Sequence, residues 1–226
     1  MLNKEDCFDA EVKVIFSKMG AIIPNDHFVY TKKSDGWYHG STYVNKDALY
    51  PYVKEISRLC LKLSSFFCED DIRVVVGPTM GGIVLSQWVA YWLQNEAQAV
   101  HAVFAEEEND YRILKRGYDK IVSGKNCLVV EDIINSGGTV KKTIGAIERA
   151  GGKIAGVGTL CNRSGGKVTD ETLGVPKLIS LLNLNMAMHK EEDCPICKKH
   201  GQESVRIDIG KGKEFLARIG KLKTNI

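Results

Sequence analysis

From residue 72 onward the chain alternates short apolar runs with helical segments, and no other feature restricts its fold as much. The runs cover residues 73–76, 99–105, 126–131, 153–161 and 177–182, and helical patterns fill 83–94 and 140–150. Continuous apolar strands separated by helices require cover on both faces. The pattern therefore predicts an α/β fold with a central parallel sheet and helices on either side. Ligands of such sheets bind beyond the carboxyl ends of the strands.

One of those ends is Cys127-Leu128-Val129-Val130-Glu131-Asp132-Ile133-Ile134-Asn135-Ser136-Gly137-Gly138-Thr139. A buried strand finishes in two adjacent carboxylates, and a small-residue loop opens a helix with Val140, Ile144 and Ile147 on one side. Consecutive N–H groups at Ser136 to Thr139, together with the positive end of the helix dipole, suit a phosphate, and glycine lets the backbone approach it closely. Glu131 and Asp132 would repel that phosphate if aimed at it. As acceptors for the two hydroxyls of an attached ribose they complete a phosphorylated pentose site. A surface strand-to-helix turn with an acidic cap has the same letters, so this segment alone leaves both readings open.

Val129 to Thr139 resembles the phosphoribosyl pyrophosphate (PRPP) signature of type I phosphoribosyltransferases, and the wider chain resembles the orotate branch of that family. Val76-Gly77-Pro78-Thr79-Met80-Gly81-Gly82-Ile83 is similar to the family's pyrophosphate loop. Asn162-Arg163-Ser164-Gly165-Gly166 resembles its base-contacting segment. Phe28-Val29-Tyr30 and Tyr43-Val44-Asn45-Lys46-Asp47 resemble its N-terminal hood. The resemblance implies the type I fold, a central parallel sheet with helices on both faces plus a hood. It divides the chain into N-terminal helices and base-binding hood (1–70), a PRPP-binding α/β core (71–185) and a C-terminal tail with a cysteine pair (186–226).

The implied reaction transfers 5-phosphoribosyl from PRPP to a nucleobase with release of pyrophosphate, orotate giving orotidine 5′-monophosphate. A purine or other base, or a PRPP-binding regulator without catalysis, are the alternatives. On this resemblance Glu131 and Asp132 hold the ribose hydroxyls, Asn135, Ser136, Gly137, Gly138 and Thr139 the 5′-phosphate, and Gly77, Pro78, Thr79, Met80, Gly81 and Gly82 the pyrophosphate. Mg²⁺ arrives on the substrate as cofactor. Lys115 and Arg116 join the two carboxylates as catalytic candidates, and Arg163, Lys32, Lys33 and Tyr43 are the base-binding candidates. A homodimer is implied as well. The chain departs from the family pattern in two places. Residues 106–125 contain no histidine, leaving Arg112, Lys115, Arg116 and Lys120, and Thr31 stands where many orotate enzymes place lysine.

Cys194-Pro195-Ile196-Cys197 with His200 has the spacing of three zinc ligands, and His189 or Cys161 would add a fourth. With no second CxxC in the chain, an unmetallated turn or a redox-sensitive thiol pair is the favoured reading. The other cysteines sit mostly in apolar runs, as small hydrophobes of a reducing, cytoplasmic protein do.

Two amphipathic helices are expected before the sheet. Phe8, Val12, Ile15, Phe16 and Met19 face one way with Gly20 at the end. After Pro51, the helix buries Val53, Ile56, Leu59, Cys60, Leu63 and Phe67. Trp88, Tyr91 and Trp92 are expected in the core or an interface, Glu106-Glu107-Glu108 at a solvated strand end, and His101 in the core. The formal net charge of +3, from 31 basic and 28 acidic residues, gives no nucleic-acid footprint. The acidic opening Met1-Leu2-Asn3-Lys4-Glu5-Asp6 does not read as a signal peptide. The uncharged stretch 74–95 is interrupted by Gly77, Pro78, Gly81 and Gly82 and does not read as a membrane span.

Overall fold

A computed structural model describes residues 4–221 of the chain. In chain order its elements begin with α1 (Lys4–Lys18), β1 (Ile22–Ile23), β2 (Phe28–Lys33), β3 (Gly36–Gly40), β4 (Tyr43–Val44) and α2 (Val53–Ser64). The α/β succession follows as β5 (Val74–Pro78), α3 (Gly81–Leu93), β6 (His101–Glu108), β7 (Tyr111–Ile113), α4 (Tyr118–Val122), β8 (Asn126–Ile134), α5 (Gly138–Arg149) and β9 (Lys153–Asn162). The remainder is α6 (Asp170–Leu173), β10 (Leu178–Ser180), β11 (His189–Lys190), α7 (Pro195–His200) and α8 (Gly212–Arg218). These elements group into two compact units, one of residues 1–15 with 49–185 and the other of 16–48 with 186–226.

The first unit holds a six-stranded sheet of order β10-β9-β8-β5-β6-β7. Every pairing is parallel except β6 with β7. From β5 the chain moves outward to β6, then returns across β5 to β8 and moves outward the other way to β9. The right-handed rule for such crossovers places α3 and α5 on opposite faces. Between β5 and β8 the connections diverge, which opens a crevice at the carboxyl ends of those two strands. Val140, Ile144 and Ile147 of α5 share a buried cluster with Val74 and Val76 of β5 and with Cys127 and Val129 of β8. The expected strands and both helices are present. The three-residue β7 is too short to stand out as an apolar run. His101, expected in the core, is exposed at the first residue of β6.

The N-terminal helices follow their apolar spacing with two qualifications. Val12, Ile15 and Phe16 are buried and Met19 half-buried, while the Phe8 side chain lies outside the described residues. In α2, Ile56, Leu59, Cys60 and Leu63 are buried as expected, but Val53, its first residue, is exposed. Burial pushes the thiols of Cys60 and Cys161 up to about 12 and that of Cys127 up to about 11, so these cysteines are packing groups.

The second unit contains an antiparallel sheet of order β11-β3-β2 and the short pair β1-β4. One of its buried clusters joins Val29 and Trp37 of the hairpin to Val205, Phe215 and Leu216. This differs from the tail expected for 186–226. Apolar residues are sparse there, but three of them meet the β2–β3 hairpin, and the Phe215 ring lies edge-on to Trp37 at 5.7 Å between centroids. Residues 49–70, grouped from sequence with the hood, belong instead to the unit of the six-stranded sheet. Among the described residues no helix is long and apolar enough to cross a membrane.

Candidate functional site

The crevice between β5 and β8 is lined by the two loops that the sequence analysis singled out. Val76 is level with Val129 across the β5–β8 ladder, and Ile134 of β8 is level with Asn162 of β9. The loops beginning at Thr79, Asn135 and Arg163 therefore leave three adjacent strands at the same edge of the sheet. That edge brings together, within the first unit, the candidate pyrophosphate loop, the carboxylate pair with its glycine loop, and Arg163.

Glu131 and Asp132 are almost fully buried, at 7% and 3% exposure. Their oxygens are held by local donors. The Asp132 N–H donates to Glu131 Oε1 at 3.1 Å, the Ile133 N–H to Asp132 Oδ1 at 2.6 Å, and the Tyr50 hydroxyl to Asp132 Oδ2 at 2.5 Å. Buried charged groups persist only when so held, and these carboxylates keep fixed orientations. Tyr50 was not among the sequence candidates. Its only signal is its position just before Pro51 and α2, which places an aromatic hydroxyl at a helix entry.

The 79–82 loop approaches this pair closely. Thr79 and Met80 are joined by a cis peptide bond, and Met80 is 81% exposed. A Cβ on Gly81 would collide with Asp132 Oδ2 and the Tyr50 hydroxyl, and a Cβ on Gly77 would collide with the Gly82 carbonyl. Glycine is thus required by close approach at both positions. On the other loop, Gly137 has φ 76°, the left-handed region that favours glycine, and it turns the chain from β8 into α5. Asn135, Ser136 and Gly138 are exposed and Thr139 half-buried.

The helices that start at these loops share with the short α7, and with no other helix from α2 to α8, a first turn free of acid and of any side-chain cap. α2, α4, α6 and α8 each carry an acidic residue in their first turn, and α6 is closed by a reciprocal Thr169/Thr172 capping box. α3 and α5 have no acid in the first turn and no side-chain cap. Their first N–H groups are left to another acceptor, and an anion at each is the complement that the helix dipole favours.

The basic candidates are dispersed. Arg112, buried between strands, donates to Thr79 Oγ1 at 2.8 Å and pairs with Glu107 at 3.1 Å. It therefore supports the 79–82 loop from behind, a role that its place among four similar basic residues did not disclose. Lys115 pairs with Glu108 at 2.5 Å and Arg116 with Glu106 at 2.8 Å, so each acid of the 106–108 run has a cationic partner. Arg163 is half-buried, and its Nε is buried with no hydrogen-bond partner. The loop that carries it is fixed by its own N–H donating to Ile134 at 2.9 Å and by Asn162 Oδ1 accepting from the Ser164 N–H at 3.0 Å.

Lys32, Lys33 and Tyr43 belong to the second unit. Lys32 and Lys33 are exposed at the end of the β2–β3 hairpin, lying over the rings of Trp37 and Tyr38 at 5.9 and 4.5 Å. Tyr43 is half-buried, its ring 5.4 Å from that of Phe28. In the same unit, Cys194 and Cys197 converge on His27 and His39. His200, expected as their companion, is exposed and stands outside this group, as do His189 and Cys161. The i, i+3 spacing suggests a local third ligand, whereas the hairpin supplies histidines from far along the chain.

The profile of the family described as "Phosphoribosyl transferase domain" matches residues 47–176. The chain is 38% identical to the orotate phosphoribosyltransferase of Pelotomaculum thermopropionicum over 84% of its own length and 92% of that protein's. It is 35% identical to the protein of the same name from Thermotoga maritima, over 83% and 92%. Among solved structures, orotate phosphoribosyltransferase from Mycobacterium tuberculosis in complex with PRPP superposes with a TM-score of 0.56 at 16% identity, covering 81% of this chain and 92% of that one. Adenine phosphoribosyltransferase from Thermoanaerobacter pseudethanolicus gives 0.58 at 16% identity, covering 77% and 99%, so the fold is shared by enzymes named for different bases.

Proposed function

We infer the reaction from one premise: the chain belongs to the phosphoribosyltransferase family. It transfers the 5-phosphoribosyl group of PRPP to a nucleobase and releases pyrophosphate, and the base is orotate. The observation that carries this reading is the meeting, at one sheet edge, of two uncapped acid-free helix N-termini with a buried carboxylate pair between them. A substrate with a phosphate at each end of a dihydroxylated sugar has the complementary pattern.

In this reading the N–H groups of residues 135–139 hold the 5′-phosphate and those of 77–82 the pyrophosphate. Glu131 and Asp132 accept from the ribose 2′- and 3′-hydroxyls. The bond from the anomeric carbon to pyrophosphate breaks as a ring nitrogen of the base bonds to that carbon, through an oxocarbenium-like transition state. Fixed dipoles at both phosphate ends lower its barrier by holding the fragments in line and stabilising the charge that builds on the leaving group. Lys115, exposed and paired with the exposed Glu108, and Arg116, exposed and paired with the half-buried Glu106, exchange those partners for the departing pyrophosphate. An exposed pair such as Lys115–Glu108 is worth about 0–1 kcal/mol and is given up readily.

Mg²⁺ fits the oxygen donors of this site, but only as a guest of the substrate. Among the described residues the site gathers two carboxylates and no third histidine, cysteine or acid, which suits an ion that keeps phosphate and water oxygens as ligands. Bound there, it neutralises charge on the pyrophosphate.

For the base, the relatives named for orotate agree with Arg163. Orotate brings a carboxylate that an uncharged purine lacks, and the half-buried guanidinium of Arg163, carried at this same sheet edge, is suited to pair with it. Lys32, Lys33 and Tyr43 stay base-binding candidates on the resemblance alone. Steady-state kinetics of Arg163→Ala test the assignment. The Michaelis constant for orotate rises at least tenfold while that for PRPP changes little; equal effects on both, or none, contradict it.

We further propose a homodimer. Val84, Tyr91 and Trp92 of α3 are exposed, the latter two at 54% and 38%, with the Trp88, Tyr91 and Trp92 rings stacked edge to face along the helix. Contiguous exposed aromatics of this kind mark contact surfaces.

A further inference from the structure

The second unit contains a cluster of four soft donors with no part in the reaction described above. His27, at the entry to β2, and His39, on β3, face Cys194 and Cys197 at the start of α7. One ligand atom from each lies within 4.8 Å of all the others. His27 Nε2 is 3.0 Å from His39 Nδ1, 3.5 Å from Cys194 Sγ and 3.6 Å from Cys197 Sγ, and Cys197 Sγ is 3.4 Å from His39 Nδ1. In a tetrahedron with Zn–N near 2.0–2.1 Å and Zn–S near 2.3 Å, the edges are about 3.3 Å between nitrogens and about 3.6 Å between nitrogen and sulfur. The four separations fall close to those edges.

Hydrogen bonding within the cluster does not account for this convergence. Ser204 Oγ donates to the Gly201 carbonyl at 2.7 Å, so its interaction with His27 Nδ1, also 2.7 Å, is that of an acceptor with a ring N–H. The proton of a neutral His27 is therefore on Nδ1, and Nε2 presents a single lone pair to the cluster. One lone pair accepts one hydrogen bond, yet an imidazole and two thiols crowd around it. A cation at their centre serves all four donors. The Ser204 contact is the outer hydrogen bond that orients a metal-bound histidine.

The charges also balance. Two thiols release their protons to solvent on binding, and two thiolates with two neutral imidazoles give a neutral site around a divalent ion. Cys194, His27 and His39 are all buried, where an uncompensated charge would be costly. Thiolate with imidazole in a tetrahedral, fully protein-supplied set selects zinc over magnesium or calcium.

We propose that His27, His39, Cys194 and Cys197 form a structural zinc site that fastens the 194–204 segment to the β2–β3 hairpin. A closed Cys₂His₂ set leaves no open position for a substrate, so the role is structural. The need is evident from the cluster that ties this segment to the hairpin, where Val29 and Trp37 meet Val205, Phe215 and Leu216 from two distant stretches of chain. Units as small as this one are commonly reinforced by a metal or a disulfide.

The test uses the full chain, purified without an affinity tag that binds metal. Elemental analysis is expected to find one zinc per chain. Replacement by Co²⁺ is expected to give the intense visible absorption of a tetrahedral site with a thiolate-to-cobalt charge-transfer band. His27→Ala and Cys197→Ser lose the cobalt spectrum, while His200→Ala keeps it. Should the first two variants fail to fold, the wild-type protein still decides the matter, because a chelator that removes the ion must lower its Tm. Three results overturn the proposal: cobalt absorption of the weak octahedral type or none, a Cys194–Cys197 disulfide in the reduced-buffer preparation, or loss of the spectrum in His200→Ala.

Discussion

Tyr50 donates its phenolic hydroxyl to Oδ2 of Asp132 at 2.5 Å, joining the entry of α2 to the end of β8 within the first unit. One carboxylate oxygen is thereby anchored and the other is anchored by the Ile133 N–H, so Asp132 meets its ligand in a single orientation. A hydrogen bond to a charged group is worth about 1.5–3 kcal/mol. Tyr50→Phe is expected to raise the Michaelis constant for PRPP about tenfold or more, with that for the base unchanged and the Tm within a few degrees. Unchanged kinetics would remove Tyr50 from the site.

The carboxylates themselves carry a larger share. Glu131→Gln with Asp132→Asn keeps shape while removing both charges and turning one acceptor oxygen of each side chain into an N–H donor. Each charge-assisted bond to a hydroxyl contributes about 1.5–3 kcal/mol, so PRPP affinity by calorimetry is expected to fall at least tenfold. Affinity equal to wild type would place the ribose elsewhere.

The parallel sheet was legible because its strands are buried on both faces and read as unbroken apolar runs. The glycine loops were legible because close backbone approach tolerates few other residues. Tyr50, Arg112, His27 and His39 were not, for a common reason. Each acts through a partner far away in sequence, such as Asp132 for Tyr50 or Cys194 for His27, and nothing in the neighbouring residues signals that partner. The fold of 186–226 was hidden similarly, since Phe215 and Leu216 are isolated in a polar segment and form a core only with Trp37 and Val29.

The pyrophosphate loop offers a sharper steric prediction. In Gly77→Ala the new methyl meets the Gly82 backbone, which cannot swing aside as a side chain would. Overpacking of this kind costs about 1–3 kcal/mol and must displace the loop. The variant is expected to lose several degrees of Tm and most PRPP binding. A variant with wild-type Tm and PRPP affinity would show that the two loop glycines do not approach as described.

The exposed aromatics of α3 predict the state of assembly. Sedimentation at micromolar concentration is expected to show a dimer, and Tyr91→Glu with Trp92→Glu a monomer. A wild-type protein that sediments only as a monomer contradicts a subunit-shared surface there.

The central claim is that this chain joins the phosphoribosyl group of PRPP to orotate. The most direct measurement is pyrophosphate release by the purified protein with PRPP and Mg²⁺ in the presence of orotate, uracil, adenine, guanine or hypoxanthine in turn, each product identified by mass. Release with orotate and formation of orotidine 5′-monophosphate, with uracil a poor substrate because it lacks the carboxylate that Arg163 receives, is the predicted result. Efficient turnover of a purine with no detectable orotate activity would contradict the account.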